Sequence, residues 1–237
     1  MARLTTVVFV GPTLDAREVV ARLPGADVRP PAAVGDVLAA ARRGRRIALI
    51  DGYFEHVAAV WHKEILVALE RGAEVWGAAS MGALRAAELA PFGMRGVGAV
   101  FRAFARGALD ADDEVAVAHL PAEHGYRAVS DALVNLRDGI ARAPGLAAAT
   151  RVRLVELARA RFYRERTWQQ LDADARRAGL PRRELDALLV WPKPDRKAAD
   201  ARLLLRRLGA APVAARRRAA VRVPRTWALR QLLDGAW

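Results

Sequence analysis

The chain of 237 residues contains no cysteine. That excludes disulfides, thiolate nucleophiles and cysteine-held metals. Lysine is almost missing too: of 39 basic residues only Lys63, Lys193 and Lys197 are lysines, and the rest are arginines. No apolar run reaches about 18 residues, so no membrane-spanning helix is expected. The opening "MARLTTVVFVGPTLD" lacks the longer apolar stretch and small-residue cleavage site of a secretion signal and reads as a first strand, which makes the cytoplasm the expected location. The patterns G-x-x-x-x-G-K-[ST], G-x-G-x-x-G and H-E-x-x-H are all absent, so the common nucleotide and zinc signatures are excluded and neither cofactor nor metal is expected.

Positive charge is present in excess, and it is localised. Residues 1–150 carry 17 basic and 17 acidic side chains, whereas residues 151–237 carry 22 and 9, so the whole formal charge of +13 lies in the C-terminal part. Two readings stay open. The excess either meets an anionic partner or is spread over solvated, arginine-rich helix faces. A nucleic-acid partner is not expected, because the basic part lacks the interleaved aromatics of single-strand binders.

The first half alternates. "TTVVFVG" (5–11) is a buried strand, "DAREVVARL" (15–23) a helix with Asp15 and Glu18 placed as a capping box, and "ADVRPP" (26–31) a short strand ended by prolines. "VGDVLAAARRG" (34–44) is a helix, "RRIALIDGYF" (45–54) a strand and turn, and "HVAAVWHKEILVALERG" (56–72) a helix stopped by glycine. "AEVWGAASMGALRAAELAPFG" (73–93) is a strand, a tight turn at Ser80 and an alanine-rich helix. Beyond Gly96 the pattern changes to "VGAVFRAFARG" as a helix, an acidic cluster and short strand-like run in "LDADDEVAVAHLP", a helix at 130–143, and only amphipathic helices after about residue 145. Thr167 and Pro181 mark breaks between those helices. The fold class expected is α/β, a mainly parallel sheet flanked by helices, followed by an all-helical basic C-terminal region. The expected division is a core domain at 1–145 and a helical, Arg-rich part at 146–237.

In a parallel sheet, ligands bind outside the carboxyl ends of the strands. Three strand ends carry distinctive turns: Gly11-Pro12-Thr13, Asp51-Gly52-Tyr53 and Ala79-Ser80-Met81. Ser80 stands in "GAASMG", a partial match to the nucleophile elbow G-x-S-x-G, with Gly82 in place and Ala78 where the first glycine would be. The Met81 amide at the start of the following helix is a candidate oxyanion donor. Local sequence alone favours the reading of Ser80 as an ordinary helix cap. A serine nucleophile needs a base. The histidines are His56, His62, His119 and His124, but a chain that uses arginine almost wherever a charge suffices has kept Lys63 in its neutral half, and a lysine can lose its proton where an arginine cannot. The alternative for Lys63 is a surface residue paired with Glu64 or Glu70. The neighbouring His62 is expected on a different helix face. "DADDE" (110–114) is a weak metal candidate, since acidic loops are usually just solvated.

Taken together, "VFVGPTL", "IDGYFEHVAAVWHKEIL", "GAASMGALRAAEL" and "DDEVAVAH" resemble the TfuA-like family, in order and spacing, over roughly residues 5–145. The resemblance implies a protein that accompanies a YcaO-domain enzyme in peptide-backbone thioamidation. It hydrolyses the C-terminal thiocarboxylate of a ThiS-like sulfur-carrier protein to supply sulfide, with a precursor peptide as a further partner. The family's Ser-Lys pair falls on Ser80 and Lys63. Gly11, Met81, Tyr53, Asp51, His62 and Arg85 are candidates for the oxyanion and substrate-binding positions. The other reading is a non-catalytic adaptor that docks the YcaO enzyme, the carrier or the precursor peptide.

Overall fold

The computed structural model describes residues 6–42, 44–55, 57–210 and 222–235. In chain order the elements are β1 (Thr6–Phe9), α1 (Ala16–Arg22), β2 (Asp27–Arg29), α2 (Asp36–Ala40), β3 (Arg46–Leu49), α3 (His62–Glu70), β4 (Glu74–Ala78), α4 (Met81–Leu89), β5 (Arg95–Val97), α5 (Gly98–Ala105), α6 (Leu133–Arg142), α7 (Ala148–Ala160), α8 (Trp168–Arg177), α9 (Arg182–Val190), α10 (Arg196–Ala210) and α11 (Trp227–Leu233). The expected parallel α/β architecture is present. Five parallel strands form one sheet in the order β2-β1-β3-β4-β5, with registers such as Val8 opposite Ala48, Ala48 opposite Trp76, and Gly77 opposite Gly96. Among the described residues no helix is long and apolar enough to cross a membrane.

The chain divides into two compact units, 1–110 with 198–237, and 111–197. The first holds the sheet. Side chains alternate along each strand. Val7, Phe9, Ile47, Leu49 and Val75 face one core, filled by Val37 of α2, Ile65 and Ala68 of α3, and Ala86 and Leu89 of α4. Val8, Ala48, Ile50, Trp76 and Ala78 face the other, covered by Val19 of α1 and by Ala198, Ala201, Leu204, Leu205 and Leu208 of α10. Burial on both faces explains why β1, β3 and β4 are continuous apolar runs rather than alternating ones.

The division expected at 145 is therefore corrected. Helix α10 is amphipathic, as its sequence indicates, but its apolar stripe closes the sheet. Arg46 of β3, 1% exposed, fixes its far end by donating to the Leu208 carbonyl at 2.9 Å while pairing with Glu74 of β4. Other boundaries move as well. Helix α3 starts at His62, and the described residues before it are irregular, so the helix expected from residue 56 is shortened; His56 itself lies outside the described residues. The Asp15 side chain caps α1 through the Arg17 amide, but Glu18 pairs with Arg22 and Arg202 rather than closing a capping box. β5 was not expected. The run "EVAVAH" forms no strand: its Glu114 ends a short 3₁₀ turn at Asp112–Glu114, and among the described residues an isolated bridge joins His119 to Ala128.

The second unit is helical. Leu133, Leu136 and Ile140 of α6, Leu154 of α7, Leu171 and Ala175 of α8, and Leu185 and Leu188 of α9 make its core. At the break expected there, Thr167 caps α8, accepting from the Gln170 amide at 3.0 Å. Arg166, 1% exposed, ties three segments by donating to the carbonyls of Ala158, Asp113 and Arg161 and to the Asp113 carboxylate.

If α10 is an integral layer of the sheet, Ala201→Glu, which forces a charge against Trp76 and its neighbours, should destabilise the sheet-bearing unit by about 3 kcal/mol or more. Denaturant unfolding followed by tryptophan fluorescence measures this. An exposed, independent tail would tolerate the change.

Candidate functional site

The turn between β4 and α4 is built by close contact. At Gly82 an added Cβ would lie 1.8 Å from the Leu49 carbonyl oxygen, and at Gly77 one would lie 2.0 Å from the Gly82 oxygen. Two absent side chains thus let the first turn of α4 press against β3 and β4, and the Gly82 amide donates to the Ile50 carbonyl. Gly77, rather than the expected position 78, supplies the first glycine of the elbow. The chain reverses at Ala79, which takes φ +68, a left-handed conformation costly for a residue with a Cβ. Ser80 follows, 7% exposed. Its amide donates to the Ala78 carbonyl at 2.8 Å, and its side chain makes no capping bond to α4. The hydroxyl is therefore not spent as an N-cap. The Met81 amide has no acceptor among the described residues, while the Met81 side chain packs against Gly52.

The neighbouring strand ends are held by Asp51, 1% exposed. Its carboxylate accepts from the Gly11 amide at 2.9 Å, the Thr13 amide at 3.0 Å and the Thr13 hydroxyl at 2.6 Å. This corrects the role expected for Gly11: its N–H is committed to Asp51 and does not face a developing oxyanion. Asp51 acts as a brace between the β1 and β3 turns. The Tyr53 amide donates to the Ala32 carbonyl, which places Tyr53 on the same rim.

Lys63 sits at the second residue of α3, and Glu64 fixes where that helix starts. Its fully buried carboxyl accepts from the amides of Trp61 at 2.8 Å, Gly35 at 3.0 Å and Leu38 at 3.3 Å. Burial outweighs these donors and pushes the Glu64 carboxyl up to about 7. The Lys63 ammonium donates to the Thr226 hydroxyl at 3.0 Å. It pairs with neither expected carboxylate: Glu64 is taken by the backbone, and Glu70 by Arg225 and the Val223 amide. His62 lies 2.7 Å from Glu88, which also binds Arg85 at 2.9 Å, and the Arg85 Nε donates to the Val60 carbonyl. A cleft of about 460 Å³ is bordered by Val60, His62, Lys63, Arg85, Thr226 and Ala228. His62 and Lys63 therefore share one cleft rather than facing apart. Ser80 does not border it; helix α4 connects the two places, with Ser80 at its start and Arg85 five residues on.

Residues 51–167 match the family model of TfuA-like proteins. The matched region holds Asp51, Tyr53, His62, Lys63, Ser80, Met81 and Arg85, together with the acidic cluster, whose Asp113 and Glu114 are engaged by Arg166 and Arg137. No curated protein matches the chain. The TfuA-like match begins after β3 and ends in the second unit, so β1, β2 and β3, and helix α10 that covers the sheet, lie outside it.

Two outcomes test this geometry. Gly82→Ala should lower stability by about 3 kcal/mol or more, since the new methyl meets backbone that cannot yield; chemical denaturation reads it, and an unchanged midpoint would contradict the contact. Glu64 keeps its proton in the folded chain over a range where the unfolded chain releases it. Wild-type stability should therefore fall, relative to Glu64→Gln, as pH rises from about 4.5 to about 7, with a total on the order of 3 kcal/mol. Urea melts of both proteins at pH 5 and pH 7.5 measure the difference.

Proposed function

We propose that this protein is a hydrolase in which Ser80 and Lys63 cleave the C-terminal thiocarboxylate of a ThiS-like sulfur carrier, releasing sulfide for a YcaO-domain enzyme that thioamidates a peptide backbone. The observation that carries the reading is the elbow: a serine on a strained strand-to-helix turn, its side chain unused as a cap, beside an amide without an acceptor. The TfuA-like match supports the substrate class.

The Lys63 amine takes the proton of Ser80, and Oγ attacks the thiocarboxylate carbon. The oxyanion forms beside the Met81 amide. The substrate is already anionic, so attack concentrates negative charge beside that amide. The C–S bond breaks and sulfide departs with the proton from Lys63, leaving the carrier esterified to Ser80. Lys63 then takes a proton from water, hydroxide attacks the ester, Ser80 recovers its proton and the carrier leaves as a carboxylate.

A second reading has its own support. Lys63 holds Thr226 in the described structure, which suits an adaptor that never deprotonates Ser80. The two readings separate on sulfide release from a thiocarboxylated carrier. The hydrolase reading expects Ser80→Ala and Lys63→Ala each to lose at least ~100-fold while staying folded. An adaptor would release no sulfide in any version, and Ser80→Ala would leave reconstituted thioamidation at wild-type level.

A further inference from the structure

Residues 222–235 return to the sheet-bearing unit by a route the sequence did not indicate. Residues 222–226 form no regular element, with a turn closed by the Thr226 amide on the Pro224 carbonyl, and α11 follows. Val223, Leu229 and Leu232 are buried with Leu38 of α2 and Val67 of α3. Glu70, at the end of α3, receives both the Val223 amide and the Arg225 guanidinium. This seat carries the segment to the mouth of the cleft, where Thr226 and Ala228 form part of the wall.

The contact made there falls on a specific atom. Among the described residues, Thr226 is the hydrogen-bond partner of the Lys63 ammonium. The seat is narrower than that of α10, which lays five buried apolar side chains on the sheet, and its outer side is exposed, with Trp227 75% accessible. A short apolar anchor, one ion pair and one hydroxyl contact suit a segment that opens at low cost, since local opening is easiest where few apolar contacts are lost.

We propose that residues 222–235 form a latch: seated, the segment covers the cleft and ties Lys63 to Thr226; lifted, it frees the lysine for Ser80. The latch rests on the reading of Lys63 as the base. It would keep the protein from discharging thiocarboxylate when no acceptor enzyme is at hand.

The test uses full-length wild type, Thr226→Val, which removes the acceptor, Leu229→Asp, which unseats α11, and Ser80→Ala. Sulfide release from a carrier with a glycine-ended thiocarboxylate tail is measured without any partner enzyme. In parallel, acetylation of Lys63 by an N-hydroxysuccinimide ester is followed by peptide mass spectrometry. Lys193 and Lys197 are internal references, and no cysteine competes for the reagent. The latch expects Lys63 to be acetylated about fivefold faster or more in both variants, with the other lysines unchanged, and sulfide release to rise by a similar factor. Unchanged acetylation of Lys63 overturns it. Faster acetylation with release equal to or below wild type also overturns it, and makes Thr226 a fixed positioning residue. If Ser80→Ala releases sulfide as fast as wild type, the hydrolase reading fails on its own account, and the acetylation rates alone decide whether the segment covers Lys63.

Discussion

The space between Gly82 and the Leu49 carbonyl is the constraint on which the site depends. Because α4 begins hard against β3 and β4, the chain has two residues in which to turn, Ala79 and Ser80, and Ala79 takes positive φ. Ser80 is then presented at the rim with its backbone fixed from both sides, and the first amide of α4 is left without an internal acceptor, as helix geometry requires. A functional hydroxyl gains from such a mounting because it is positioned by backbone packing rather than by side-chain contacts that could relax.

The sheet order places β1 and β3 side by side, although β2 lies between them in sequence. This is the switch point at which open parallel sheets leave a crevice. Asp51 bridges that crevice and fixes both lips, at the expense of the Gly11 amide. The cleft lies further along, at the start of α3 and the second turn of α4, where Lys63, His62 and Arg85 border it and Glu88 binds His62 and Arg85. In the C-terminal part Arg161 pairs with Asp174, Arg176 with Asp172 and Asp186, and Arg196 with Asp138 of α6. Pairs with the acids of the same part leave its net excess of +13 in place.

Local features of the chain were legible wherever local chemistry decides them. The strands at 6–9, 46–49 and 74–78 announce themselves by apolar, β-branched runs, Thr167 by its capping hydroxyl, and the Ser80 turn by small residues around a serine. Long-range contacts were not legible. β5 is three residues with a glycine at its centre, too short for a period. The stripe on α10 shows that it is amphipathic, but not that its partner is a sheet whose strands end a hundred residues earlier. The start of α3 depends on the Glu64 carboxyl collecting amides from 26 and 29 residues away, and the Gly11 amide is consumed by a carboxylate 40 residues on. Gly77 could have been found from the sequence, by asking which strand residue must yield to the Gly82 backbone.

The central claim is that Ser80 becomes covalently attached to its substrate. The direct measurement is intact-protein mass spectrometry after mixing the protein with a thiocarboxylated carrier and quenching in acid within milliseconds to seconds, followed by peptide mapping. The account expects a transient ester-linked adduct of the two proteins, mapped to Ser80 and absent from Ser80→Ala. Sulfide release at full rate with no adduct at any time, or an adduct that persists in Ser80→Ala, would contradict it.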